Sequence, residues 1–289
     1  YNATIYSYLP FENNNYENAL INIFNTNKRP TIKYNSAKIV VSFENDFLGK
    51  GDNLLENISN FTKNRDVDNI DTFNRLYSIE GNLSLTGSNA DYRIAISPEK
   101  QLKLLCSIIG ELIKRGLKTN NTPETFISNL NKYKLNNVTD ELKINSKVIK
   151  QLITDIISNN TKTVFVINNN FSPEFHYAAF IVNQMLNNFE LYDFQNSNQL
   201  FFKNNSDEDF KILIEKIYNG KIGAVINYDA DPVFHFESNL DFKNAYKKLK
   251  TVITFCEELN DTAELSTFVL PINHQLESWG IYNSKSNVY

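Results

Sequence analysis

The apolar residues of this chain alternate between short β-rich runs and longer helical stretches. Such alternation is typical of βαβ units, in which helices join parallel strands. Strands are predicted at residues 38–43, 75–80, 92–97, 163–168, 189–194, 222–227, 251–256 and 266–271. Helices are predicted at residues 16–24, 98–115, 123–133, 146–157, 173–186 and 206–218. The pattern predicts an α/β fold with largely parallel sheets.

The order of the predicted elements suggests two Rossmann-like lobes. Three strands precede an Asn- and Lys-rich helical stretch, and five strands follow it. We therefore expect an incomplete first lobe over residues 1–110, a helical connection over 111–160 and a second lobe over 161–289.

Composition restricts the classes of partner. The 289 residues are 42% hydrophobic and 21% charged, as in globular proteins, and the net charge of −4 argues against nucleic acid, which needs a basic face. No apolar run approaches the ~20 residues of a membrane span, so no membrane insertion is predicted. Since the chain starts at Tyr1 without methionine or a signal-peptide core, we expect a piece of a longer protein with any targeting signal upstream.

Several familiar catalytic patterns are missing from the sequence. No glycine-rich phosphate loop follows a strand, and no G-x-S-x-G elbow is present. His176, His235 and His274 are too far apart in sequence to form a local metal-binding pair, so no metal site is predicted. Cys106 and Cys256 lie in apolar runs and are expected to be reduced core thiols, too few for an iron–sulfur cluster.

Acidic residues follow several predicted strands, where ligands of α/β proteins bind. They could act as acids or bases or bind ribose hydroxyls, or they could cap loops and helix starts. The residues alone leave both interpretations open. These acidic residues are Glu44, Asp46, Glu80, Asp193, Asp229 and Asp231.

Five segments resemble the molybdopterin oxidoreductase family, and the resemblance extends over nearly the whole chain. They are "IVVSFENDFLG" (39–49), "GSNADYRIAISPEKQ" (87–101), "FHYAAFIVNQMLNN" (175–188), "LIEKIYNGKIGAVINYDADPVFHF" (213–236) and "VITFCEELNDTAELSTFVLPINHQLESWG" (252–280). Their wording is most similar to the large iron–sulfur subunit of bacterial alternative complex III, a quinol:cytochrome c oxidoreductase. The resemblance implies the two-lobed fold of formate dehydrogenase and DMSO reductase.

The resemblance also implies a role. In that subunit, the N-terminal half keeps the molybdoenzyme fold without a molybdenum cofactor, and a separate ferredoxin-like C-terminal part carries the iron–sulfur clusters. This chain would then hold no cofactor and have no activity of its own. Its partners would be other subunits of the complex, including a quinol-oxidising membrane subunit and c-type cytochromes. It would lie on the periplasmic side, associated with the membrane through those partners.

Four departures from the family pattern support a degenerate cofactor cradle. Glu44 stands where the family has the glycine that lets the backbone approach a pyrophosphate. Residues 80–82 read Glu-Gly-Asn in place of Asp-Pro-Arg, and residues 98–101 read Pro-Glu-Lys-Gln in place of Pro-Gly-Thr-Asp. Asp231 replaces an asparagine, exchanging an amide for an acceptor-only carboxylate. Together with Asp46, these positions are expected to bind no cofactor.

We therefore predict a non-catalytic scaffold fragment of a membrane-associated electron-transfer complex. One alternative is a fragment of an active molybdopterin guanine dinucleotide oxidoreductase, with Asp46, Glu80 and Asp231 along the nucleotide. Another is a stand-alone Rossmann-type binder of a nucleotide or small molecule. His274, Glu277 and Trp279 form a candidate partner contact, although Trp279 could equally pack against its own lobe.

Overall fold

The computed structural model describes residues 3–9, 14–26, 28–51, 53–117, 123–199, 204–236 and 240–280. They form two compact units. The first unit comprises the described residues from 14 to 199, and the second those of 3–9 and 204–280.

The first unit is built around a four-stranded parallel sheet and a two-stranded antiparallel sheet. Its strands are β1 (Lys28–Ile32), β2 (Ile39–Phe43), β3 (Arg75–Glu80), β4 (Tyr92–Ala95), β5 (Thr163–Ile167) and β6 (Tyr192–Gln199). Its helices are α1 (Asn15–Phe24), α2 (Leu54–Thr62), α3 (Leu85–Ser88), α4 (Pro98–Lys114), α5 (Glu124–Leu130), α6 (Leu135–Glu141), α7 (Ser146–Ser158) and α8 (Pro173–Leu186). The parallel sheet has the order β4-β3-β2-β5, and β1 pairs with β6.

The central strand β2 shows that this parallel sheet is covered on both faces. All five of its residues are buried. Phe43 belongs to a large core with Leu105 of α4 and Ile153 of α7, whereas Val40 on the other face packs with Phe61 of α2. A continuous apolar run is the sequence expected of a strand that is buried on both sides.

The second unit has a three-stranded parallel sheet in the order β7-β8-β9. Its strands are β7 (Ala224–Tyr228), β8 (Thr251–Cys256) and β9 (Phe268–Pro271), and its helices are α9 (Asp207–Tyr218), α10 (Pro232–His235), α11 (Phe242–Tyr246) and α12 (Asp261–Glu264). Phe210, Phe242 and Val252 share the core of this unit, which lies on one face of the sheet.

The opposite face of this sheet presents apolar side chains to solvent. The strand register places Ile226, Ile253 and Phe268 in one row and Tyr228, Phe255 and Leu270 in the next. Ile226 is 65% exposed and Tyr228 70% exposed. We call these six residues the open sheet face.

The parallel sheets of both units confirm the predicted α/β class. The strands at 75–80 and 251–256 have the predicted bounds, but β1, α2 and α6 were not predicted, and β6 begins three residues later than expected. Sequence reasoning assigned β5 to the second lobe, whereas it pairs with β2 in the first unit. The order of strands along a chain does not give their order in a sheet, because a crossover can return on either side of an earlier strand.

Candidate functional site

Glu44 follows β2 at the carboxyl edge of the parallel sheet in the first unit. Its backbone has a φ of 50°, in the left-handed region that glycine adopts at little cost. The Glu44 N–H donates to the Ile79 carbonyl at 2.9 Å, and the Asn168 Nδ2 donates to the Glu44 carbonyl at 2.8 Å. Bonds from β3 and from the end of β5 therefore hold Glu44 in a backbone conformation suited to glycine.

The Glu44 carboxylate accepts two hydrogen bonds within its own edge of the sheet. Its Oε1 atom lies 2.6 Å from the Gly81 backbone nitrogen and 2.7 Å from the Gln101 Nε2. Gln101 is fully buried on α4, and its Nε2 also donates to the Ile96 carbonyl at 3.0 Å. We call Glu44, Gly81 and Gln101 the edge network.

Each member of the edge network stands at a position where the sequence departs from the pattern of the family that it resembles. Proline, which the pattern has at position 81, lacks the N–H that Gly81 donates to Glu44. Aspartate, which the pattern has at position 101, only accepts hydrogen bonds, whereas Gln101 donates one. The three residues are therefore chemically complementary to one another, which their separate positions in the sequence did not reveal.

A cavity of about 370 Å³ opens at this edge. It is lined by Glu44, Gly81, Asn82, Ala95, Ile96, Ser97 and Pro98. The carboxylate of Glu44 accepts the hydrogen bond of the Gly81 N–H, which could otherwise donate to an anionic ligand. The cavity lining also contains no lysine or arginine among the described residues, so it does not fit a pyrophosphate.

Asp46 and Glu80, the other candidate acids of the first unit, hold local structure. Asp46 accepts a hydrogen bond at 2.8 Å from the Thr86 backbone nitrogen. Glu80 is buried and accepts bonds of 2.6 Å from Arg93 Nε and Ser84 Oγ. Both carboxylates are engaged by the residues around α3 and β4, as expected of caps and structural ion pairs.

Asp231 opens α10 in the second unit. Its Oδ1 atom accepts hydrogen bonds from Thr262 Oγ1 at 2.6 Å and from the Thr262 backbone nitrogen at 3.1 Å, and more weakly from the Phe234 nitrogen at 3.4 Å. The Asp231 N–H in turn donates to the Tyr8 hydroxyl oxygen at 3.0 Å. Asp231 thus ties the starts of two short helices together. Its position and contacts are those of a capping residue.

The candidate partner contact near the end of the described chain is exposed. His274, Glu277 and Trp279 all lie on the surface, and Trp279 is fully exposed. The His274 Nδ1 accepts a hydrogen bond from the Leu276 N–H at 3.2 Å. Trp279 does not pack against its own unit, so this segment stays a candidate contact.

The histidines and cysteines do not converge among the residues that the structure describes. No group of three or more His, Cys, Asp or Glu side chains there could hold a metal ion. Cys106 and Cys256 are buried and unpaired, and burial raises the pKa of Cys106 to about 11.

Across the described ranges, no helix is long and apolar enough to cross a membrane. Asp193 follows the start of β6, and Asp229 lies just after β7.

Sequence reasoning missed a second cavity, of about 170 Å³, between the ends of β2 and β5. Its lining includes Tyr16, Arg29 and Tyr34, which lie outside the five segments that resemble the molybdopterin oxidoreductase family. The open sheet face was also missed, because β7, β8 and β9 read as ordinary buried strands. One sign in the sequence could have linked Gly81 and Gln101 to Glu44. All three positions depart together from the pattern of the family that the chain resembles.

The two units, each with a parallel sheet, have the fold of the molybdopterin oxidoreductases. Among 52 matching chains of solved structures is acetylene hydratase from Pelobacter acetylenicus, with a TM-score of 0.62 and 10% sequence identity. The match covers 90% of this chain and 44% of that one, so this chain spans less than half the length of that protein. No family model and no curated protein sequence matches. At this identity, the likeness shows the fold alone.

Proposed function

We propose that this chain is a non-catalytic scaffold fragment of an iron–sulfur subunit in a membrane-associated, quinol-oxidising electron-transfer complex. The edge network is the observation that carries the non-catalytic part of the proposal. Glu44 Oε1 takes hydrogen bonds from Gly81 and Gln101 at the edge where this fold would receive an anionic cofactor. A carboxylate at this position repels a second anion and withholds the donors that would bind it.

The open sheet face supports the docking part of the proposal. Parallel sheets are almost always covered on both faces, because their crossovers place helices there. Here Ile226, Tyr228 and Phe268 are 65%, 70% and 59% exposed. An exposed apolar patch of this kind marks an interaction surface. Its occupant would be a neighbouring subunit that lays the apolar side of a helix across the three strands.

The identity of the complex is supported by the sequence resemblance to the large iron–sulfur subunit of alternative complex III. On that basis, the partners include a quinol-oxidising membrane subunit and c-type cytochrome subunits on the periplasmic side. The iron–sulfur clusters belong to a ferredoxin-like part outside this chain. Electrons would then pass through that part, while the present fragment positions the subunits.

Metal analysis and cofactor extraction on the full-length protein test the non-catalytic part. We expect iron from the ferredoxin-like part and no stoichiometric molybdenum or tungsten. Stoichiometric molybdenum with an extractable guanine dinucleotide would overturn the proposal and favour an active molybdoenzyme. A stand-alone Rossmann-type binder of a nucleotide is the other alternative, and thermal-shift measurements with nucleotides test it. Stabilisation by a single nucleotide would favour that alternative.

Co-purification of the full-length subunit from its native host tests the docking part. The Phe268→Lys variant places a charge on the open sheet face and should lose its partner subunits. Ile70→Lys is a matched control, because Ile70 is 82% exposed in the first unit. If both variants keep the same partners, the open sheet face is not the docking surface.

A further inference from the structure

The cavity of about 170 Å³ in the first unit lies where open α/β sheets bind ligands. The sheet order β4-β3-β2-β5 means that the chain moves outward from β2 in one direction and later returns to the other side of it. Asn45 follows β2 and Asn169 follows β5, and both line the cavity. In open α/β sheets, ligands bind at such a switch point, beyond the carboxyl ends of the strands. The cavity is separate from the edge network, none of whose members lines it.

The cavity walls are aromatic. Tyr34 stacks on Phe47 with ring centroids 4.4 Å apart, and Tyr16 is nearly parallel to Phe180 at 6.2 Å. Aromatic faces favour an offset-stacked or edge-on ring as their ligand. A cavity of ~150 Å³ with apolar walls accepts benzene, so this one has the size for a single ring with a small substituent. The aromatic lining residues are Tyr16, Tyr34, Phe47, Phe165, Phe180 and Tyr192.

The charges around the cavity favour an anion. Lys50 and Arg29 line it, whereas no aspartate or glutamate of the described chain does. Arg29 forms an ion pair with Glu17. Exposed Lys50 has no salt bridge among the described residues, so its ammonium group can meet an incoming carboxylate.

Neutral hydrogen-bond donors complete the lining. Tyr34 is buried and lines the cavity together with Tyr16. Burial raises the pKa of Tyr16 to about 12 and raises the pKa of Tyr34 as well, so both hydroxyls stay protonated at neutral pH. A protonated phenol donates to an anionic oxygen. Burial also lowers the pKa of His176, and its Nε2 lies 3.2 Å from the Asn169 carbonyl.

We propose that this cavity binds a small monocyclic aromatic carboxylate, with its ring between the aromatic walls and its carboxylate towards Lys50. The site combines the two features that such a molecule needs, namely a ring-sized space with aromatic side chains in its walls and a cation in its lining. This inference does not depend on the scaffold role, because it concerns a different part of the first unit.

Ligand-observed NMR titration of the full chain with sodium benzoate tests the proposal. We expect saturable binding in the millimolar range, as suits a ligand of so few atoms. Benzyl alcohol keeps the ring without the charge, and inorganic phosphate keeps a charge without the ring. Both should bind more weakly than benzoate. Absence of benzoate binding, equal binding of benzyl alcohol, or equal binding of phosphate would each overturn the proposed ligand class.

Two variants locate the binding in this cavity. Lys50→Gln should weaken benzoate binding about threefold to fivefold, as expected for a partly exposed ion pair. Lys150→Gln is the matched control, because Lys150 is an exposed lysine on α7 that does not line the cavity. Ala179→Leu adds bulk to a wall residue and should abolish binding, with circular dichroism checking its fold. Unchanged affinity in the Lys50 and Ala179 variants would overturn the assignment to this cavity.

Discussion

The carboxylate of Glu44 accepts a hydrogen bond from the Gly81 N–H, with 2.6 Å between Oε1 and N. This bond joins the end of β2 to the end of β3 through a side chain. The Gly81 N–H and the Gln101 amide are thus satisfied by a side chain of the protein itself. The relationship can be tested by removing the carboxylate and by changing its partners.

Replacing Glu44 with glycine should leave a folded protein that still binds no cofactor. The change relieves the left-handed backbone, where Glu44 has a φ of 50°, but loses the acceptor for Gly81 and Gln101. We expect the free energy of unfolding to fall by about 1–2 kcal/mol, since the lost bonds outweigh the ~1 kcal/mol gained from glycine. Urea denaturation measures the stability, and thermal shift with guanine nucleotides measures the binding. Strong nucleotide binding by this single variant would show that Glu44 alone closes the site.

Gln101→Glu tests the complementarity within the edge network. It places a second carboxylate at the donor that now lies 2.7 Å from Glu44 Oε1, in a fully buried position. We expect a loss of about 2–4 kcal/mol in the free energy of unfolding, because a donor is replaced by a like charge. In the Glu44→Gly background the same change should cost clearly less. Equal costs in both backgrounds in a double-mutant cycle would mean that the two residues are not coupled.

Glu80→Gln tests the buried ion pair beside the edge network. Glu80 is 2% exposed and bonds to Arg93 Nε at 2.6 Å. Neutralising one partner leaves a charge without its counterion, so we expect a loss of about 2–4 kcal/mol. Glu141→Gln is the matched control, since its pair with Lys103 is at the surface and should contribute less than about 1 kcal/mol. Similar losses in both variants by chemical denaturation would contradict this assignment.

Two substitutions at Asp231 separate capping from cofactor binding. Asp231→Ala removes the acceptor for Thr262 Oγ1 and the Thr262 N–H, and should cost about 1–3 kcal/mol. Asp231→Asn keeps an oxygen at the same position and should cost less than about 1 kcal/mol, because asparagine also caps helices. Thermal denaturation of the two variants checks the order. If Asp231→Asn is as unstable as Asp231→Ala, the negative charge itself stabilises this site.

His176 should make the stability of the first unit depend on pH. Burial lowers its pKa below the ordinary value of 6.5, partly offset by the Asn169 carbonyl and by Glu17. The unfolded chain therefore takes up a proton on His176 at a higher pH than the folded protein, so this contribution to stability is present above about pH 6.5 and is lost as the pH falls. The free energy of unfolding of His176→Gln should fall less than that of the wild type between about pH 7.5 and 5.5. Parallel curves for the two proteins would contradict a depressed pKa.

The sequence predicted the parallel α/β class because each class of element has its own apolar period. The run at 39–43 is apolar almost throughout and forms a strand buried on both faces, whereas 98–114 has a helical period and forms α4. The pairing of β5 with β2 was not predictable from the sequence. A helical crossover can place the next strand on either side of an earlier one, or in another sheet. The strand β1 contains Pro30 and few apolar residues, so it lacked a strand signal.

The candidate site was predictable only as separate positions. Glu44, Asp46, Glu80 and Asp231 could each be marked as an acid near a strand end, and the structure places every one of them in hydrogen bonds within its own unit. The contact between Glu44 and Gln101, 57 residues apart, needed the fold to be seen. The same is true of the smaller cavity, in which Tyr16, Arg29 and Tyr34 from outside the family-like segments meet Phe47 and Phe180 from within them.

Because Glu44 belongs to the chain, the edge of β2 carries its own tethered anion. A tethered group acts at an effective concentration of the order of millimolar or higher, and it cannot diffuse away. A free phosphate ligand would have to displace it and bring its own counter-charge into a cavity whose described lining has no lysine or arginine. The occupancy of this edge is therefore independent of the concentration of any free ligand, because folding alone brings the carboxylate to its partners.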